Sequence, residues 1–426
     1  MTGPLVPCGE APNQIGSTGA SQGAEFTRYV ARQPILDVRG RLFAYELLFR
    51  NNQRNFFSGD GDLATRTMLD NLVLFGTEQL CGSAPAFINC TRESLVGQFV
   101  EVLPASRVVL EILETIEPDD ELLHAVRKLK ARGFRIALDD FTWTPAWDPF
   151  TQFADFIKID FMSTGLRERR ELRTRLQYSH AALVAEKVET IDDYHTAYEE
   201  GFTLFQGYYF CRPHMMANRG VPANRLSQIE LLGALHEPDL DLSRITQMVM
   251  RDTAITYRLL RLVNSPLYAQ CQEIRSVHAA LIAVGETAFS RIATLAITSE
   301  LSHDSSPELL RMTFARARFC ELAAARCGRD ANEQYLVGLL SLLPAMLKVP
   351  MEPIAEALPL REPIRKALEG EANAERGLLA WAEAAEAADW NACDALAAQI
   401  GLPPEDLQLI ESQAMVWAEH VLHSAC

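Results

Sequence analysis

No apolar run of 18 or more residues occurs in the chain, so no segment reads as a transmembrane helix. The longest candidate, 335–347, is too short and is broken by Gly338 and Pro344. No CxxC pair occurs among the nine cysteines, and their number is odd. That excludes a zinc ribbon and a disulfide framework, and it is the usage of a reducing, cytoplasmic compartment. The first 25 residues lack a basic segment followed by an apolar one, so no signal peptide is expected there. They are rich in Gly, Pro, Ser and Thr without apolar period, and read as a disordered tail over 1–25. Basic residues are in the minority: Lys plus Arg is 40 against 56 Asp plus Glu, a formal net charge of −16. A chain this acidic is a poor general binder of nucleic acid, so no direct nucleic-acid partner is expected. An anionic small ligand stays open, because a metal or a few local cations invert the local sign.

What the chain has is length and ordinary globular composition. At ~150 residues per domain, 426 residues suggest two or three domains. Over 26–213, short apolar strands alternate with helical stretches. A polar segment with Gly and Pro at 214–224 reads as a linker, and over 225–426 helical periods take over. In the first region apolar runs end in a polar residue at nearly even spacing: Glu46, Asn89, Glu111, Asp139 with Asp140, Lys158, Glu186 and Gln206. The gaps of 43, 22, 28, 19, 28 and 20 residues are each about one strand–helix unit. With the run at 29–36, this makes eight strands. The first two are separated by DVRGR, a hairpin-length loop, and should pair antiparallel. The pattern predicts an α/β barrel with an antiparallel first strand, followed by an all-α domain.

In parallel barrels the site lies at the C-terminal ends of the strands, so the polar endings should share one mouth. One carboxylate at a strand end reads as a cap or surface ion pair. Seven strand ends in register read as a site. Five carboxylates together repel, and one or two divalent ions would relieve them. Oxygen-only ligands favour Mg²⁺ or Mn²⁺. Two such ions clamp the attacking and leaving oxygens of a phosphodiester. Lys158 would hold a water or a phosphate, and Glu186 or an aspartate would serve as base.

Residues 29–213 resemble the EAL domain family, which hydrolyses or senses cyclic di-GMP. The resemblance lies in RQPI (32–35), ELLFR (46–50), FIN, LEILE (110–114), ALDDF, IKID, VAEKVE and FQGYYFCRP, in the family's order. It implies that Glu46, Asn89, Glu111, Asp139 and Asp140 are metal ligands and that Lys158 and Glu186 activate water. It further implies that Gln33, Arg50 and Gln206 contact the dinucleotide. Two departures stand out. The Gly-rich loop expected after DDF is TWTPAWDPF (142–150), although Glu114, which in the family braces that loop, remains. EGVE becomes EKVE, and Lys187, next to Glu186 in a strand, should point to the opposite face. Trp143 or Trp147 should pack against the barrel rim, the helical domain or a second subunit.

The region from about 225 resembles the HDOD domain, a helical relative of the HD phosphohydrolases. The order, EAL then HDOD, is that of a bacterial two-domain signalling family. Where HD enzymes hold a metal-binding His-Asp pair, this chain has Ser341 and Leu342. His303-Asp304 reads as a solvated loop, so the domain is expected to act through protein contacts. Two readings follow. One is a Mg²⁺- or Mn²⁺-dependent phosphodiesterase that opens cyclic di-GMP to linear pGpG. The other is a catalytically silent effector or scaffold, whose barrel binds cyclic di-GMP or has lost even that, acting only through protein–protein contacts; a homodimer is a further expected partner state.

Overall fold

Eight strands close into one barrel in the order β1 to β8. They are β1 (Tyr29–Asp37), β2 (Leu42–Arg50), β3 (Ala86–Cys90), β4 (Val108–Ile112), β5 (Arg135–Leu138), β6 (Phe156–Asp160), β7 (Ala182–Glu186) and β8 (Leu204–Gln206). The structure is a computed structural model, and it describes residues 29–50, 77–211, 223–237, 240–268, 273–303, 305–358 and 360–425. The tail expected at 1–25 and the linker residues 214–222 lie outside the described residues. β1 pairs antiparallel with β2 and β8, and all other neighbours are parallel. The hairpin between β1 and β2 turns at Gly40, whose φ of 69° suits a residue without Cβ.

Alternation along each strand sorts the barrel into an inside and an outside. Ile35, Ala44, Phe87, Val109, Ala137, Phe156, Val184 and Leu204, one from each strand, form a separate buried cluster at the barrel floor. The outward residues, such as Ile88, Leu110, Ile136 and Ile157, join a larger core beneath the helices. The helix Asp120–Ala131 shows how the sequence builds that cover. The Asp119 side chain accepts from Leu122 N at 2.9 Å and caps the start. Leu122, Val126 and Leu129 fall on the buried face, each worth ~1.5–3 kcal/mol of transfer. Gly133, at φ 89°, ends the turn. The helix Ile191–Glu199 starts on a capping box between Thr190 and Asp193.

From Ala223 onward the described elements are helices. Asn264 stops the helix Thr253–Val263, and its side-chain amide bonds Ile274 N and O at 2.8 Å each. Ser276 caps the helix Val277–Val284. A 21-residue helix of this core, Pro307–Cys327, starts with Pro behind a Ser306 cap and ends at Gly328 in the left-handed region. Its Phe319 stacks on the fully buried Trp381 at 5.0 Å between centroids. The same helix touches the barrel. Ser306 Oγ donates to Gly40 O at 2.7 Å, and Tyr45 Oη donates to Glu308 Oε2 at 2.8 Å.

Candidate active site at the barrel mouth

The polar residues stand one step above the apolar floor. Two residues past each floor residue, toward the mouth, come Gln33, Glu46, Asn89, Glu111, Asp139, Lys158, Glu186 and Gln206, one per strand or directly after it. Because strand residues two apart share a face, the floor fixes the direction of all eight. The ring is therefore set by the strand period, not by loop conformation.

Lys158 is its hub. Fully buried in β6, its Nζ lies 2.7 Å from Asp139 Oδ1 and 2.8 Å from Glu186 Oε1. It also lies 2.8 Å from Glu111 Oε1 and 3.0 Å from Glu46 Oε2. Gln206 Nε2 donates to Glu46 Oε2 at 2.7 Å and to Gln33 Oε1 at 2.9 Å. Asn89 Nδ2 donates to Glu46 Oε1 at 3.2 Å. Glu46 is thus held by three donors from three other strands. Burial pushes its carboxyl up, but Lys158 and the two amides outweigh that, and it sits below the ordinary value.

The other acids go the opposite way. Burial, and then the Glu46 charge, raise Glu111 well above the usual range against the pull of Lys158. Burial also raises Asp139, again against Lys158. Glu186 is pushed up to about 8, by burial first, with the charges of Asp139 and Glu46 adding and Lys158 opposing. Burial would lower Lys158, but the four carboxylates outweigh it and keep the ammonium protonated. Lys158 is a donor here and never a base.

Several oxygens of the ring have no hydrogen-bond partner: Asn89 Oδ1, Glu111 Oε2, Glu186 Oε2 and Gln206 Oε1, with Asp140 Oδ1 just outside it. Buried oxygen acceptors left unpaired are costly, and a hard cation is the partner that fits an all-oxygen set. Among the described residues no three acidic, His or Cys groups surround an open cation position, since the ammonium of Lys158 already stands between the carboxylates. Asn89 Oδ1, Glu46, Glu111 and Asp139 are the donors suited to a cation above it.

The remaining sequence expectations divide. Gln33 lies in the ring. Arg50 is the last residue of β2 and pairs in register with Tyr29, and its side chain lies outside the described residues. Asp140 is past the strand, at φ 39°. Lys187 corrects the sequence reading. β7 ends at Glu186, so strand alternation no longer applies, and Lys187 takes φ 54°. Its Nζ reaches 2.5 Å from Asp160 Oδ2 and 3.9 Å from Asp140 Oδ2, on the mouth side. Asp160 was not singled out in the sequence, although IKID placed it two residues after Lys158.

The loop 142–150 packs on the barrel itself. Trp147 is buried against Phe141 and Phe150, at 6.5 and 5.1 Å between centroids. The Arg175 guanidinium lies 3.8 Å over the Trp143 ring, whose Nε1 donates to Asp148 Oδ1 at 3.4 Å. Glu114 is exposed and makes no hydrogen bond or ion pair to this loop among the described residues, so the bracing role implied for it is not seen. In the helical domain Ser341 Oγ donates to Gly338 O at 2.7 Å and accepts from Arg316 Nη1 at 3.2 Å. Arg316 in turn pairs with Glu386 at 2.6 Å. A guanidinium therefore stands beside the place where the resemblance has a metal-binding pair.

Comparison with known proteins agrees with this architecture. The chain matches the EAL domain family over residues 84–213 and the HDOD domain family over 222–358. The EAL match begins after β2, so Gln33, Glu46 and Arg50 stand outside it. Cyclic di-GMP phosphodiesterase CdgJ of Vibrio cholerae is 36% identical over 405 residues, covering 93% of both chains. YuxH of Bacillus subtilis is 31% identical over 405 residues, 92% of this chain and 98% of that one. Among solved structures, the manganese and cyclic di-GMP complex of Klebsiella pneumoniae BlrP1 is 21% identical over 45% of this chain and 57% of that one, with a TM-score of 0.38. An eight-stranded barrel with one polar ring, joined to a helical domain, defines the class. The chain belongs to the EAL–HDOD family of two-domain proteins.

Proposed function

We propose that the barrel binds cyclic di-GMP with Mg²⁺ or Mn²⁺ and opens it to linear pGpG, in a cytoplasmic signalling protein. The polar ring carries this reading, and a relative 36% identical over 93% of the chain, named as a cyclic di-GMP phosphodiesterase, supports it. In it, 26–213 is the ligand-binding unit and 225–426 the helical output module that contacts a protein partner or a second copy. Glu46, Asn89, Glu111, Asp139 and Asp140 hold the cation, which supplies polarisation of the phosphodiester when bound. Lys158, always protonated, orients a water or a phosphate oxygen by donation from Nζ. Once deprotonated beside a bound cation, Glu186 accepts a water proton at Oε2 as the hydroxyl oxygen bonds to phosphorus and the P–O bond to the 3′ oxygen breaks, the 3′ oxygen taking a proton from solvent. Gln33 and Gln206 in the ring are the contacts to the dinucleotide, and Arg50 is added to them on the resemblance alone.

The silent-effector reading draws on two features, the rebuilt loop 142–150 and the Ser341-Leu342 pair in place of a metal-binding His-Asp pair. Incubation with cyclic di-GMP and Mn²⁺ followed by chromatography decides between them. Linear product in the wild type and none in Glu46→Ala supports the enzyme. Binding without product in the wild type supports the effector, and no binding leaves only the scaffold.

A further inference from the structure

The ammonium of Lys187 stands between the carboxylates of Asp140 and Asp160 at the barrel mouth. Asp140 and Asp160 come from the ends of adjacent strands, β5 and β6, and converge on it. Asp160 Oδ1 is spent on the following turn, where it accepts from Met162 N and Ser163 N at 2.8 and 2.9 Å. Only its Oδ2 is left for a cation, and Lys187 takes it. Asp140 Oδ1 is buried without a partner.

The backbone bears the cost of this placement. Both Asp140 and Lys187 sit at positive φ, 39° and 54°. A long side chain in that region is held at a cost of ~1 kcal/mol or more, which glycine would avoid. The EAL family that this stretch resembles has glycine at this position, and the chain instead places a charge there. Lys187 is exposed, yet from its left-handed position its ammonium ends on two carboxylates of the barrel mouth.

We infer that Lys187 is a built-in counter-cation for Asp140 and Asp160 and limits the mouth to one divalent ion. This rests on the proposed metal-dependent reading of the ring. The one ion keeps Glu46, Asn89, Glu111, Asp139 and the unpartnered Oδ1 of Asp140, whose Oδ2 faces the ammonium. The ammonium neutralises the outer aspartates, and a second ion would have to displace it.

The test is metal stoichiometry, read by equilibrium dialysis with Mn²⁺ and by the electron spin resonance of the bound ion. The full-length wild type, Lys187→Gly, Lys187→Gln and Lys187→Arg are compared, each checked for unchanged melting. The expected result is one Mn²⁺ per chain for the wild type and Lys187→Arg. Two are expected for Lys187→Gly and Lys187→Gln, with a spin-coupled pair signal. Lys187→Gln keeps the side-chain length and the backbone strain, so it separates the charge from the conformation. Two ions in the wild type, or one in every variant, overturns the inference and leaves the metal-binding reading intact. No bound ion in any of the four removes the inference and that reading together.

Discussion

At the residue scale, everything at the mouth depends on one buried ammonium. Lys158 is the only positive charge in the ring of eight, facing four carboxylates within 3.0 Å. Removing one partner of a buried ion pair costs ~3–5 kcal/mol, because the other charges stay buried. Lys158→Met is therefore expected to lower the melting temperature sharply at pH 8 and less at pH 5.5, where the acids take up protons. Equal losses at both pH values in thermal melts would contradict this assignment of its role. The wild type has its own pH dependence. Glu186, raised to about 8, holds a proton in the folded state that it loses in the unfolded chain above the ordinary carboxylate range. Its contribution is fully present below that range and is lost as pH rises through about 8. Cation-free protein should thus melt progressively lower from pH 6 to 9. The same acids must lose protons to bind a cation, so Mn²⁺ affinity should rise over that interval with proton release, measurable by calorimetry in two buffers.

At the element scale, β8 shows how tightly the ring is built. Gly207 follows Gln206 at φ 144°, and a Cβ there would come 2.1 Å from Val188 O. Gly207→Ala should push the end of β8 away from β7 and move Gln206 off Glu46. A displacement near 1 Å at such a site costs ~10²-fold in rate. The expected signature is lost cyclic di-GMP turnover or affinity in a protein whose circular dichroism is unchanged. Unchanged ligand affinity would show that Gln206 does not need its place. These elements also show what was legible in the sequence. Strand ends at Glu46, Asn89, Glu111, Glu186 and Gln206 could be read because apolar floor and polar mouth are two residues apart in each strand. Lys187 was misread for the same reason: alternation was carried one residue past the end of β7, where the backbone turns left-handed. Asp160 shares the inward register of Lys158 on β6, but its partner Lys187 comes within reach only through the turn after β7, which no strand period encodes. The helices beyond residue 225 could be read by caps such as Ser276 and stops such as Asn264. Which face meets the barrel depends on contacts between residues more than 250 apart, and no local period encodes them.

At the scale of the whole molecule, the helical domain grips the back of the β1–β2 pair, which carries Glu46, a partner of the ring's hub. Tyr45 and Glu46 are neighbours on β2 with side chains on opposite faces. Glu46 is the acceptor of Lys158, Gln206 and Asn89, while the Tyr45 hydroxyl donates across the domain junction to Glu308. Glu308 is itself buried in an ion pair with Arg311, and the Arg32 and Arg311 guanidinium groups lie 4.9 and 5.4 Å over the Tyr45 ring. Among the described residues the Trp-rich loop, by contrast, makes its contacts within the barrel, and the contacts between domains run through the β1–β2 pair and residues 208–211. A ligand at the mouth shifts this junction only by binding its two arrangements with different affinity. Tyr45→Phe deletes the hydroxyl and leaves Glu308 with Arg311. The expected result is a loss of ~1–2 kcal/mol of stability and faster amide exchange in both β2 and the start of the Pro307–Cys327 helix. In the wild type, cyclic di-GMP with Mn²⁺ should slow exchange in these same two segments, and in Tyr45→Phe the helix should no longer respond. Slowed exchange confined to the barrel in both proteins would mean that the two domains share a contact without sharing a signal.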